Sequence, residues 1–251
     1  MGFFSNIFSS KPAQVKTAVD LSVLKCDMHS HFIPGIDDGA KTMEESIELI
    51  REFYNLGYRK IITTPHVLID GYPNTPEIIL SGLEKVKTAL KLENIPIQIE
   101  AAAEYYLDFD FGKKVEQEKL LTFGQNHLLF EVSYVNPPDN FEYVVFKMQA
   151  NGYKPVLAHP ERYPFWSRDI GKYERLKEKG VLFQLNINSL TGYYSHEIRK
   201  TAEQLIERNM IDLLGSDCHH MGHANMIKTS AVYKPALHAL VGSGRLLNNT
   251  L

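Results

Sequence analysis

The sequence predicts an α/β fold in which seven strand–helix units close into a single-domain, TIM-like barrel. Two observations support this prediction. Short apolar runs of strand length alternate with amphipathic patterns of helical length, which indicates βαβ units around a parallel sheet. No linker-like stretch, repeat or low-complexity tract divides the 251 residues, so one large domain is expected. An open, doubly wound sheet is the competing arrangement.

The predicted strands and helices follow one another in regular order. The first helix is the clearest, because Thr42 can cap it, Glu45 completes a capping box and Gly57 ends it. The second begins at Pro76, a favoured first helical position. The predicted strands are 24–31, 60–66, 96–104, 127–133, 154–160, 181–189 and 211–218. Further helices are predicted at about 112–120, 140–151, 170–179, 195–209 and 234–247. 

Residues 1–23 are expected to form a mobile N-terminal extension ahead of a folded domain spanning 24–251. The formal charge of −3 shows no general affinity for polyanions, so nucleic acid is not an expected partner. Cys26 and Cys218 are too few for a disulfide framework and are expected to be free thiols in a reducing compartment. No apolar run approaches the roughly 20 residues that span a bilayer. A cytoplasmic location is therefore expected.

Histidines and carboxylates fall at the C-terminal ends of nearly all the predicted strands. In a parallel barrel these ends open on one face, where the active sites of such barrels lie. Residues far apart in sequence are therefore expected to converge at one mouth. They are His29, His31, His66, Glu104, Glu131, His159, Asp217 and His219.

These residue types suit a metal centre. Imidazole and carboxylate bind zinc, manganese or iron, and a bridging carboxylate can hold two ions. His29 and His31 lie two positions apart on a strand and face the same way, and Asp217 and His219 repeat this spacing. Each pair alone is a weak signal, since a lone histidine is more often part of the core. Their coincidence at one end of the barrel predicts the metal site.

Two aspartates near the first histidine pair extend the predicted centre. Asp27 has the same strand parity as His29 and is expected to support the ligands rather than bind metal. In the loop Pro-Gly-Ile-Asp-Asp-Gly, Asp38 is expected to be a further ligand, although Asp-Asp-Gly is by itself an ordinary turn.

The motifs together resemble the PHP (polymerase and histidinol phosphatase) superfamily. More narrowly, they resemble the bacterial manganese-dependent tyrosine-protein phosphatases of capsule and exopolysaccharide operons, the CpsB/YwqE type. The resemblance covers about residues 24–220 in family order. The segments that carry it are DMHSHFIPGIDDG (27–39), TTPHV (63–67), AAEYY (102–106), LLFEVSY (128–134), AHPERY (158–163), FQLNINSLTG (183–192) and GSDCH (215–219).

The resemblance implies a distorted (β/α)7 barrel, the PHP fold, with up to three divalent ions. Manganese is the implied metal, and iron, zinc or cobalt would suit the same ligands. One ion would be held by His29, His31, Glu104 and Asp217. A second would be held by Asp38, His66 and His219, and a third by Glu104, Glu131 and His159. Asp217 and His219 would thus contribute to catalysis as well as to metal binding.

Several residues are predicted to contact substrate. Arg162 would bind the phosphate and contribute to catalysis, although a surface salt bridge with Glu161 is the simpler reading of the sequence. Gln184 and Asn186 share one face of a strand and are expected to line the mouth. The family carries a basic residue soon after the SDxH motif. Here no arginine follows, and His220 or His223 is the candidate replacement. The aromatic stretch 163–166 could flank a phenyl ring or pack within its loop.

The implied activity is hydrolysis of phosphotyrosine by a metal-activated hydroxide, acting on a bacterial tyrosine kinase of polysaccharide export. A cysteine-based mechanism does not fit, because the residues six positions after Cys26 and Cys218 are Phe32 and Ala224, not arginine. Three alternatives remain open: a phosphatase for histidinol phosphate or another small phosphomonoester, an amidohydrolase-type barrel, and a metal-loaded regulatory module without activity. The amidohydrolase alternative is disfavoured because strand four ends in Glu131 and not in lysine.

Overall fold

Strands and helices alternate along residues 17–251, the part of the chain that the computed structural model describes. Within these residues the strands are β1 (Cys26–Asp27), β2 (Lys60–Thr63), β3 (His66–Val67), β4 (Gln98–Ala101), β5 (Glu104–Tyr106), β6 (His127–Glu131), β7 (Lys154–Ala158), β8 (Leu182–Asn186) and β9 (Leu213–Gly215). The α-helices are α1 (Met43–Asn55), α2 (Pro76–Leu92), α3 (Phe111–Gln117), α4 (Phe141–Ala150), α5 (Ile170–Glu178), α6 (His196–Glu207), α7 (Met221–Thr229) and α8 (Pro235–Gly242).

All strand pairs are parallel, and the sheet curls into a distorted barrel. One part has the order β1-β2-β4, and the other has the order β3-β5-β6-β7-β8-β9. The predicted strands 60–66 and 96–104 are each broken in two, because Pro65 has no N–H for the ladder. The two segments nevertheless stay paired across the break, since Glu104 N donates to Pro65 O at 3.1 Å. The seven predicted strand positions are therefore retained.

The barrel closes between the first strand region and the last. Ser30 and Cys218 form an isolated parallel bridge, and Asp217 N donates to His29 O at 2.8 Å. Below this bridge the gap is filled by Asn248, whose buried amide donates to the carbonyl oxygens of Cys26 and Leu214. Predicted strand 24–31 thus contributes only a short ladder, and the C-terminal 3-10 helix Leu247–Thr250 completes the wall.

The helices agree with the predictions except after β9. Thr42 caps α1 as predicted, its hydroxyl accepting from Glu45 N at 3.3 Å. The Glu45 carboxylate accepts from Lys41 N rather than from the cap residue itself, so the capping box is incomplete. Helix α7 was not predicted, because its sequence has few apolar residues at helical spacing. The predicted helix 234–247 is shorter, since α8 ends at Gly242.

The core has an inner and an outer layer. Cys26, Met28 and Val156 belong to a small buried cluster, and a larger cluster includes the apolar faces of the helices. Packing extends N-terminally of residue 24, because Val19 and Leu21 are buried and Val19 N donates to a carbonyl near α8. Residues 1–16, which make up most of the predicted extension, lie outside the described residues. Among the described helices, none has the length and apolar character required to cross a bilayer.

Candidate metal centre

The deepest part of the barrel mouth brings together a first group of four buried side chains. His29 Nε2 lies 3.2 Å from Glu104 Oε2 and 3.4 Å from Asp217 Oδ1. His31 Nε2 lies 3.6 Å and 3.3 Å from the same two oxygens. All four side chains are almost inaccessible to solvent, and their nearest donor atoms lie within 4.8 Å of one another. This spacing allows one cation to contact all four.

A second group lies nearer the opening. His66 Nε2 and His219 Nε2 lie 3.5 Å and 3.3 Å from the partly exposed Asp38 carboxylate. The His219 ring stacks on the His31 ring, with centroids 3.9 Å apart, so His31 belongs to this group as well as to the first. The predicted trio Asp38, His66 and His219 is thus brought together, with a fourth member.

A third group differs in composition from the prediction. His66 Nδ1 lies 3.2 Å from both Glu104 Oε2 and Glu131 Oε1, so the two nitrogens of His66 face two different groups. His159 Nε2 lies 3.0 Å from the other Glu104 oxygen and 3.8 Å from Glu131 Oε2. His66 reaches between the groups because β3 is separated from β2 by the break at Pro65.

Glu104 is the centre of this arrangement, since its carboxylate approaches four histidines within 3.6 Å. Burial raises the pKa of Glu104, but His29 and His66 outweigh burial and hold it well below its usual value. Burial lowers the pKa of His29, yet Glu104 and Asp217 raise it to about 9. The Glu104 carboxylate therefore remains ionised at neutral pH, as a metal ligand must be.

Three buried atoms support a fit to divalent metal. His29 Nε2, His31 Nε2 and Glu104 Oε2 make no hydrogen bond with any described residue, although all three are inaccessible to solvent. Buried polar atoms are normally satisfied, and a cation would satisfy these. Imidazole and carboxylate donors are those that manganese, iron and zinc accept. The donor set therefore fits such an ion.

The imidazole rings are oriented by residues behind them. Asp37 Oδ2 lies 2.8 Å from His31 Nδ1 and also accepts from His66 N. Gln184 Oε1 lies 2.7 Å from His29 Nδ1. Such partners fix ring orientation and leave the other nitrogen for metal. This contact of Asp37 with His31 is not evident from the sequence, where Asp37 is part of an ordinary turn.

Asp27 lies behind the first group and contacts the segment that carries Asp217. Its fully buried carboxylate accepts from Ser216 N at 2.9 Å and from Ser216 Oγ at 2.8 Å. The same hydroxyl also lies 2.9 Å from His29 O. Burial raises the pKa of Asp27 to about 7. Asp27 thus joins the first strand to the segment carrying Asp217.

Three residues expected to contact substrate lie behind the centre instead. Gln184 and Asn186 are fully buried, and Asn186 Nδ2 donates to Asp217 Oδ2 at 2.7 Å. His223 is buried, and its Nδ1 accepts from His219 N at 3.3 Å. The alternation of side chains along β8 gives the correct face for Gln184 and Asn186, but it does not give their depth. His223 contacts the loop after β9 through His219 N.

Arg162 lies at the side of the mouth and pairs with Asp217, Nη1 to Oδ2, at 2.9 Å. The alternative salt bridge with Glu161 is wrong, because the Glu161 carboxylate is buried and accepts from Asn186 N and Ser189 Oγ. Tyr163 is also buried, with its hydroxyl donating to Ala158 O, so this member of the aromatic stretch packs within its loop.

Two strand ends turn sharply to present these side chains. His159 and Asp217 have positive φ values of 33° and 49°, in the left-handed region that non-glycine residues rarely adopt. Such strain persists where surrounding contacts hold it, often at functional sites. Here the turn directs His159 towards Glu104 and Asp217 towards both His29 and Arg162.

Gly39 allows the loop that carries Asp38 to pass against the first strand. A Cβ at this position would lie 2.1 Å from His31 O and 2.4 Å from His31 Cβ. We expect Gly39→Ala to destabilise the protein by about 2 kcal/mol, the range of overpacking changes, and to lower its bound metal. Thermal unfolding and elemental analysis measure both effects. Gly112→Ala is the matched control, because its nearest neighbour would lie 3.7 Å away; equal effects of the two changes would contradict the steric argument.

The fold and the centre together define a class of protein: a TIM-like parallel barrel with the histidine–carboxylate donor set of a metal-dependent hydrolase at its mouth. The chain belongs to the capsular polysaccharide synthesis family CpsB/CapC, whose sequence profile matches residues 25–233. It is 29% identical over 208 residues to the tyrosine-protein phosphatase YwqE of Bacillus subtilis, covering 82% of each chain. It is 27% identical over 201 residues to the tyrosine-protein phosphatase CpsB of Streptococcus agalactiae serotype V, covering 78% of this chain and 83% of that one.

Solved structures agree with this assignment. A structure from a study of YwqE from Bacillus subtilis and CpsB from Streptococcus pneumoniae, described as unique metal-dependent tyrosine phosphatases, superposes with a TM-score of 0.80 at 28% identity. The match covers 90% of this chain and 95% of that one. The histidinol phosphate phosphatase of Lactococcus lactis, with a TM-score of 0.55 and 12% identity over 88% of this chain and 94% of that one, shares the fold alone.

Proposed function

We propose that this protein is a metal-dependent protein-tyrosine phosphatase. The observation that carries the proposal is the convergence of histidines and carboxylates on Glu104 at the barrel mouth, next to Arg162. Metal ligands alone do not define a leaving group. The named phosphatases of the same family supply the substrate class, and they match most of this chain.

The three groups of donors would hold up to three divalent ions, with manganese proposed as the metal. Glu104 would be shared between ions, and His31 would offer its Nε2 to either of two neighbouring groups. Bound ions supply Lewis acidity and a hydroxide nucleophile near neutral pH. His159 would serve through its contact with Glu104.

The protein's own residues would position the phosphate and the ligands. Arg162 would hold a phosphate oxygen, because a planar guanidinium matches phosphate geometry. Asp217 would couple this arginine to the centre, since its two carboxylate oxygens face Arg162 and the pair His29 and His31. A phenol has a pKa of about 10, so a tyrosine leaving group needs little protonation. A leaving group of this kind suits the centre, because the histidines of the three groups face carboxylates.

A tyrosine-phosphorylated protein is the proposed partner, and a bacterial tyrosine kinase of polysaccharide export is the specific candidate. A cytoplasmic location would bring the two together and would keep Cys26 and Cys218, both buried and unpaired, as thiols. The partner and the location follow from family membership and stay predictions.

A substrate panel tests the proposed function. With manganese added, we expect kcat/KM for a phosphotyrosine peptide to exceed that for the matching phosphoserine peptide and for histidinol phosphate by at least about tenfold, because phenolate is the better leaving group. Phosphate release and the metal content of the same sample are measured together. A preference for histidinol phosphate would indicate a small-molecule phosphomonoesterase. Full metal loading without turnover would indicate a regulatory module.

A further inference from the structure

Arg162 contacts two tyrosine rings at the barrel mouth. Its Cζ is 4.3 Å from the centroid of the Tyr194 ring and 4.9 Å from that of the Tyr134 ring. These distances are within the range of cation–π contacts. Burial raises the pKa of both phenols, so they stay protonated and the contacts are not ion pairs. The guanidinium is therefore in contact with two neutral aromatic rings.

Each tyrosine is itself fixed by the fold. Tyr134 follows β6, and its ring stacks on the buried Tyr163 ring with centroids 5.6 Å apart and planes at 28°. Tyr194 immediately precedes the cap of α6, where Gly192, at φ 86°, turns the chain. The Tyr194 ring meets the Tyr193 ring edge-on at 5.1 Å. The two tyrosines in contact with Arg162 thus belong to separate loops, one after β6 and one before α6.

The guanidinium is positioned but not saturated. Its Nη1 donates to Asp217, and this is its only hydrogen bond with the described residues. An arginine has five N–H donors, so the remaining donors are available to an oxyanion. The side chain is 21% exposed, so it is not sealed from solvent. An arginine side chain held by such contacts has lost part of its rotamer freedom before phosphate binds.

We propose that Tyr134 and Tyr194 form an aromatic clamp that positions Arg162 for phosphate. The two tyrosines are positioning residues, since they act through the arginine. The proposal rests on the proposed function insofar as Arg162 is taken to bind the substrate phosphate.

Binding of inorganic phosphate to the metal-loaded protein tests the clamp without turnover. We expect Tyr134→Leu and Tyr194→Leu each to weaken phosphate affinity about tenfold, the effect of losing one largely desolvated cation–π contact. Tyr134→Phe and Tyr194→Phe keep the rings and should remain within about threefold of the parent protein. In an Arg162→Ala background, either leucine change should add less than about twofold, because contacts that act through one residue are not additive. Calorimetric titration gives the affinities, and KM and kcat for a phosphotyrosine peptide should show the loss mainly in KM.

Tyr143→Leu is the matched control, because its exposed ring lies 4.7 Å from Lys147 Nζ on the outer helix α4 and should leave phosphate affinity unchanged. Leucine variants that bind phosphate like the parent would overturn the clamp, as would losses that persist in full without Arg162. A large loss in Tyr194→Phe would assign the effect to the hydroxyl and would also overturn it. If Tyr194→Leu does not fold, the partly exposed Tyr134 still decides the question. Normal phosphate binding by a protein that hydrolyses no phosphoester would reject the proposed function while leaving the clamp intact.

Discussion

Glu104→Gln is expected to lower kcat/KM for a phosphotyrosine peptide by at least about 10³-fold and to reduce the bound metal. Loss of a partner that merely supports a ligand typically costs about 10–100-fold, and Glu104 lies at the junction of the three groups. Its two oxygens face His29, His31, His66 and His159. The amide keeps the volume but removes the charge that would be shared between ions. Steady-state kinetics and elemental analysis of the purified variant measure the two effects.

Glu100→Gln is the control for this change. Glu100 lies four residues before Glu104, on β4, where its partly exposed carboxylate pairs with Lys60 at 2.9 Å and does not contact the centre. The control should keep full activity and metal content, since an exposed ion pair contributes little. If Glu104→Gln retained the activity of the parent protein with the same metal content, Glu104 would not be the shared ligand.

Chelation is expected to lower turnover by at least about 10³-fold, because the nucleophile requires metal. Thiol alkylation should change turnover by less than about twofold, because no cysteine is in position to attack the substrate. Cys26 and Cys218 are buried, and burial raises the pKa of each thiol well above its usual value. Activity is measured after treatment with EDTA and, separately, with iodoacetamide. Addition of manganese to the chelated protein should restore it.

The alkylation arm needs a control for reagent quality. The same iodoacetamide should label both cysteines in the protein unfolded in guanidinium, as judged by intact mass, because unfolding exposes the thiols and returns their pKa to the usual range. Loss of turnover on labelling of the folded protein, with turnover intact after EDTA, would reject the metal-dependent mechanism.

Local sequence patterns were sufficient for most of the fold. Strand and helix alternation depends on periodicity within short windows, and Thr42 and Pro76 begin helices α1 and α2 as predicted. The failures lie where long-range contacts outweigh local preference. Asn248 fills a gap beside the first strand, although it lies 222 residues after Cys26 in the sequence. Helix α7 has only a weak amphipathic pattern, and its Ala224 and Ile227 are buried by the rest of the fold.

For the candidate centre, too, some features could be predicted from the sequence and others could not. The sequence predicted which histidines and carboxylates converge, because parallel strands place their C-terminal ends at one mouth. It did not predict that His66 divides its nitrogens between two groups, which depends on the break at Pro65. It also placed Gln184 and Asn186 at the opening, whereas both are buried. Side-chain parity gives a direction along the strand, but not the depth within the barrel.

The sequence by itself therefore determined the barrel class, the donor types and the end of the barrel at which they meet. Each of these follows from local periodicity and strand direction. Only the tertiary structure decided that Glu104 approaches four histidines. It also decided that Asp27 contacts the segment after β9 and that Tyr134 and Tyr194 contact Arg162. These contacts join loops distant in sequence, and their distances depend on how the curled sheet closes.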